Sequence, residues 1–275
     1  MRPITDIKLT NKLNRHTTAK KMASSNALIV HSYDELVREI SELAYLNREH
    51  LLFYRGQGID YRNKAKNSTF YPTIYRDRRI TKQVLKTKFR KLDIASQLLI
   101  DAFVKNKIIG RYEVCRRKYI QWSILQHYEV TETPLIDVTQ SLKVACSFAL
   151  RNTNQKDDEY AYVYVFGLPY LTNRISINSE QELINIRLLS IAPPPALRPH
   201  FQEGYLVGTD EITDNYSNKT ELDLNKRLVA KFKFLRQNAE KNNFTTIPNS
   251  LLFPPNDSIR NICDEIKKEI NSMDI

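Results

Sequence analysis

The sequence predicts an α+β fold, a mixed and mostly antiparallel sheet with helices packed on it. Helical periodicity dominates the first half of the chain, while β-branched and aromatic runs dominate the second. With 275 residues, 41% of them hydrophobic, the chain is long enough to bury a core without disulfide support. No internal repeat is visible, and no linker is long enough to force a second domain.

The segment through Asn26 has little apolar periodicity and is rich in Thr, Asn and Lys, so residues 1–30 read as a basic, mobile or loosely docked arm preceding a domain over 31–275. A helix then starts at Ser32, whose pairing with Glu35 is a capping-box pattern. Leu36, Val37, Ile40, Leu43 and Ala44 follow at helical spacing. Leu51–Tyr54 is a short strand running into a turn at Gly56 and Gly58, which leaves Arg55 at the strand's end. Helical spacing returns over 81–105 and again over 111–127. Residues 134–139 read as a turn entering a strand, and 141–150 as a short helix that Ser141 caps. Strands are predicted at 162–166, 188–191, 205–207 and 228–235. Alternation in the last of these implies one covered and one wetter face. A final helix over 257–270 follows the Phe253-Pro254-Pro255 break.

The formal charge of +11 is regional. Residues 76–118 hold 14 Lys and Arg against 4 Asp and Glu, and residues 1–30 hold 6 against 1. Such a basic, largely helical region reads either as a solvated face or as a footprint for RNA, DNA or another polyphosphate. Cys115, Cys146 and Cys263 are odd in number and form no C-x-x-C pair, so neither a disulfide framework nor a metal site is expected. No apolar run reaches membrane-spanning length, and the polar first thirty residues lack the apolar centre of a secretory signal. A cytoplasmic protein is the expectation, and no oligomeric state is implied.

Four ordered blocks then stand out. They are Phe53-Tyr54-Arg55-Gly56-Gln57; Tyr71 through Arg76; Gln126-His127-Tyr128 continuing through Asp137 and Thr139 to Ala149; and Arg198-Pro199 through Gln202-Glu203-Gly204-Tyr205. Together with the closing Leu252-Phe253-Pro254-Pro255 they resemble the FRG domain family, over roughly residues 33–270. Three of the blocks also occur in the order seen in ADP-ribosyltransferase-like folds, a more distant resemblance that implies a split sheet, NAD as ligand and substrate, and transfer of ADP-ribose to a protein or nucleic-acid acceptor. It also implies a setting among toxins or phage-defence effectors. On that resemblance Arg55 holds the diphosphate and Thr139-Gln140-Ser141 forms the second element. Glu203 stabilises the oxocarbenium-like state, and Gln202 orients the ribose or the acceptor. The sequence departs from the pattern here, because Gln202 and Glu203 are adjacent rather than separated by one residue.

The residues themselves allow further readings. Arg55 offers a planar fork of donors for a pyrophosphate or a core partner for Asp137, and Gly56 lets a ligand or a backbone approach closely. Asp137, Thr139 and Ser141 alternate, as residues reading a ribose or amide would; Thr139 and Ser141 equally suit a helix cap. His127 is an acid-base candidate or a hydrogen-bonded structural histidine. Tyr54 and Tyr128 either stack on a base or fill the core. Arg198 either binds phosphate or pairs within its loop. Three functions stay open: an NAD-binding domain with ADP-ribosyl transfer, a nucleic-acid module built on the basic helices of 76–118, and a catalytically silent sensor or interaction domain.

Overall fold

The computed structural model describes residues 1–13, 16–77, 80–151, 159–210, 216, 218–237 and 239–273. In chain order its elements are β1 (Ile7–Lys8), β2 (His16–Thr17), α1 (Ala19–Ser24), β3 (Leu28–Ile29), α2 (Tyr33–Leu46), β4 (Leu51–Gln57), α3 (Lys82–Lys105), α4 (Arg111–Arg116), α5 (Lys118–His127), β5 (Ile136–Thr139) and α6 (Leu142–Arg151). The chain continues with β6 (Tyr160–Leu168), β7 (Ile175–Asn178), β8 (Leu183–Arg187), α7 (Leu188–Ile191), α8 (Arg198–Gln202), β9 (Gly204–Gly208), β10 (Leu228–Leu235), α9 (Asn249–Leu252) and α10 (Ser258–Ser272). The class is α+β, as the sequence predicts.

Eight strands form one sheet in the order β3-β10-β6-β4-β5-β9-β8-β7. Every neighbouring pair is antiparallel except β10 with β3. The sheet is made of two four-stranded halves joined at β4 and β5, and that joint has a single register pair, Tyr54 with Thr139. Seven register pairs join β4 to β6 on its other side. Two apolar cores pack on the sheet, and the first crosses the joint, taking in Phe53 of β4 together with Ile136 and Val138 of β5 and Tyr205 and Val207 of β9. It gathers α1, α2, α6, β6 and β10 around Phe53, Tyr164 and Phe232; the other packs α3, α5 and α10 against β8 and β9 around Leu92, Phe103, Leu125 and Ile184.

The Ser32 cap read from the sequence is in place, and the structure adds one at Thr81. Ser32 accepts from the Glu35 amide while Glu35 reaches back to the amide of His31 at 2.7 Å, and Thr81 caps α3 through the Val84 amide.

Four expectations change. The segment before residue 30 is not a loose arm: Met1, Ile4, Ile7, Leu9, Ala19 and Met22 are all buried in the first core, so its scattered apolar residues carry the packing that periodicity failed to announce. The helix expected over 111–127 breaks at Arg117, whose backbone is extended; the change of direction lets Gln121 donate to the Val114 carbonyl at 2.6 Å. Residues 188–191 are a helical turn, and the strand is the preceding β8. The alternation in β10 marks no wet face, because Lys231 is fully buried and donates to Ala23 O, Ser25 O and Ser68 Oγ. No helix among the described residues is long and apolar enough to cross a membrane.

Candidate functional site

Where β4 and β5 part, a cavity of about 770 Å³ opens. Both strands wall it, β4 with Tyr54, Arg55, Gly56 and Gln57, and β5 with residues Ile136 to Thr139. Antiparallel pairing continued beyond Tyr54 and Thr139 would close this space with backbone hydrogen bonds. Instead the Arg55 side chain spans it, donating from Nη1 to the Asp137 carbonyl at 2.6 Å. Burial lowers the guanidinium to about 10 against the raising influence of Asp137, so it stays cationic at neutral pH.

Gly56 serves the fold. A Cβ there would overlap the Ala145 carbonyl oxygen and lie 2.7 Å from the Ala149 amide nitrogen, so the bare backbone is what lets α6 rest on β4. The close approach read from the sequence is therefore that of a helix.

The opposite wall is built from the end of α5. Asp137 Oδ2 accepts from Gln126 Nε2 at 2.7 Å, and Oδ1 stands 3.5 Å from His127 Nδ1. Thr133 Oγ1 donates to Gln126 Oε1, which orients the amide so that its NH₂ faces Asp137. Burial alone would raise the Asp137 carboxyl. Hydrogen bonds from His127 and Gln126, with the charges of His127 and Arg55, outweigh burial and hold it below its ordinary range. His127 is buried, and its Nε2 has no partner among the described residues.

A third wall is the 58–71 loop, which contributes Tyr61, Thr69, Phe70 and Tyr71. Asp60 fixes it, accepting from Ser68 Oγ at 2.6 Å, Arg62 Nε at 2.7 Å and Tyr164 OH at 3.0 Å.

Arg55, Gly56, Tyr54, Asp137, Thr139, His127 and Gln202 thus line one space although they are far apart in sequence. Four other candidates do not reach it. Glu203 is exposed and lies outside the lining; it sits at φ 43 in the left-handed region that ends α8, and its carbonyl rather than its carboxylate meets Thr139, at 3.1 Å. Arg198 is buried behind α5, donating to the His127 carbonyl at 2.8 Å and stacking over Phe253 and Tyr128, so it holds the wall and faces no ligand. Ser141 caps α6. Tyr128 is also core, its hydroxyl donating to Asp257 at 2.7 Å.

Several lining residues went unassigned in the sequence, among them Arg76, Gln126, Arg151 and Phe253. Arg76 and Gln126 lie inside two of the quoted blocks, whereas Arg151 and the cavity role of Phe253 have no local signal. Arg151 stacks on Phe253 with its guanidinium carbon 3.8 Å from the ring centre. The basic helices lie elsewhere: Lys82, Lys86 and Arg90 are exposed on α3, and Lys88 is paired with Asp77 and Glu132. Arg78 and Arg79 lie outside the described residues. Among the described residues no group of three or more His, Cys, Asp and Glu could hold a metal.

Residues 50–158 match the family model of the FRG domain. This segment is an FRG domain. It runs from β4 beyond α6 and supplies most of the cavity wall, including Arg55, Arg76, His127, Asp137, Thr139 and Arg151. Gln202, Gly204 and Phe253 complete the wall from beyond the FRG segment. Searches of curated proteins and of solved structures return no match.

Proposed function

We propose that the cavity binds a nucleotide of the NAD class, held by its diphosphate. The observation that carries this reading is the convergence of Arg55, Arg76 and Arg151 with six aromatic side chains, Tyr54, Tyr61, Phe70, Tyr71, Phe148 and Phe253, on one space. Arginine forks suit phosphate oxygens, and the rings offer faces for a base. The volume falls within the range of about 300–1,000 Å³ usual for small-molecule sites.

Arg55 is the central contact. It is half-buried and held by one hydrogen bond, so its other N–H groups are free, among the described residues, to meet a ligand. Binding is the part of the NAD reading that the geometry supports. Glu203 has no place at the cavity, so transfer chemistry through that carboxylate has no support.

Calorimetry with NAD and ADP-ribose tests the proposal. Wild-type protein is expected to bind both, and Arg55→Ala is expected to bind each about tenfold to a hundredfold more weakly, the usual loss for a hydrogen bond to a charged group. Absence of binding to NAD, ADP-ribose and ADP alike would remove the reading.

A further inference from the structure

We infer that Asp137 is a specificity residue that accepts the vicinal hydroxyls of a ribose lying next to the bound diphosphate, so that the cavity takes ribonucleotides and discriminates against deoxyribonucleotides. This rests on the nucleotide reading above and adds to it the sugar that the site requires.

The argument begins with which polar groups on β5 are already committed. Asp137 and Thr139 are two residues apart and share a strand face, while Ile136 and Val138 turn into the first apolar core. The Thr139 hydroxyl has no hydrogen to spare, since its single one is shared between the carbonyls of Gln202 and Glu203, at 3.0 and 3.1 Å, while its oxygen accepts from the Ser141 amide at 3.0 Å. Asp137 is different. Its side chain keeps 40% of its surface accessible, and among the described residues it receives only the Gln126 amide and the more distant His127 ring. A carboxylate has about four lone-pair sites, so roughly two remain open toward the cavity.

Those open sites restrict what the ligand presents there. A phosphate is excluded by like charge, and an apolar group would leave an ionised carboxylate without partners. A pair of neighbouring hydroxyls fits. In a nucleoside diphosphate the ribose diol is the hydroxyl pair carried beside the phosphates. Arg55 donates to the backbone carbonyl of Asp137 itself, which places a diphosphate-binding guanidinium and a diol-binding carboxylate side by side across the parted strands. Gln126 and His127 fix the carboxylate from behind, so it is oriented before a ligand arrives.

The probe is ADP, whose single ribose adjoins its diphosphate, compared by calorimetry with 2′-deoxyADP and 3′-deoxyADP. Wild-type protein is expected to bind each deoxy analogue about tenfold or more weakly than ADP, because each leaves part of a charged acceptor unpaired. In Asp137→Asn the preference is expected to shrink severalfold while binding of the deoxy analogues changes little. Equal wild-type affinity for all three ligands overturns the inference and leaves the nucleotide reading standing. Equal loss of all three in Asp137→Asn also overturns it, by showing that Asp137 only supports the wall. Should that variant not fold, the wild-type comparison decides alone. Binding of none of the three, nor of NAD or ADP-ribose, would instead remove the nucleotide reading itself.

Discussion

Lys231 has no accessible surface, yet its ammonium is satisfied by two carbonyls at the end of α1 and by Ser68 Oγ, with Asp60 close enough to favour the charge. Burial dominates and lowers its pKa from 10.5 to about 8. The folded state therefore holds this proton less tightly than the unfolded chain does. The resulting cost is fully present below about pH 8 and is relieved as the pH rises toward the unfolded value. Relative to Lys231→Met, wild-type stability is expected to rise by about 2 kcal/mol between about pH 8 and 10, read from urea unfolding at each pH. Parallel profiles for the two proteins would show that Lys231 does not titrate there. From sequence this residue looks like one of the solvent-facing members of an alternating strand. Its burial depends on α1 and Ser68, which are more than 160 residues away in the chain, and no local pattern reports that.

Among the elements, the helices were legible because their signals are local. Thr81 and Ser32 cap the helices that follow them, and the apolar spacing of α3 persists over six turns. Short strands were not. The Leu-Ile-Asn-Ile-Arg of β8 runs into the apolar turn of α7 without a break, so length and composition alone assign the wrong half. What joins the elements is still less visible. Asp257 caps α10 through the amides of Ile259 and Arg260, and with its other oxygen accepts from Tyr128 OH and the amides of Leu197 and Arg198. One buried carboxylate thus ties α10 to α8 and to the end of α5. Asp257→Ala is expected to cost about 3–5 kcal/mol, because several buried donors lose their partner together, whereas Ser141→Ala, which removes a single cap, is expected to cost about 1 kcal/mol. Chemical unfolding of the two variants compares them directly, and similar losses would refute the hub role.

For the molecule as a whole, the segment read as a loose arm completes a core. Ile4, Ile7, Leu9 and Met22 are each at least 94% buried, and a fully buried side chain of this kind contributes about 1.5–3 kcal/mol. Four of them together rival the roughly 5–15 kcal/mol that stabilises a typical domain. Deletion of residues 1–24 is expected to leave a chain that is largely unfolded or rapidly digested by protease at low temperature. A resistant fragment with intact near-ultraviolet dichroism would contradict that. The convergence of Arg55, His127, Asp137 and Gln202 was accessible from the order of the sequence blocks. The outward turn of Glu203 was not, because it depends on a left-handed backbone at a non-glycine residue, for which the sequence carries no mark.

The single register pair between β4 and β5 gives this sheet a seam. Hydrogen exchange should then show the amides beyond Tyr54 and Thr139 along the seam opening more readily than those between β4 and β6, since the first core spans the seam but little backbone bonding crosses it. A ligand that grips Arg55 on one side and Asp137 on the other would act as a rivet through that seam, fastening the two strands where their own pairing stops after one register pair.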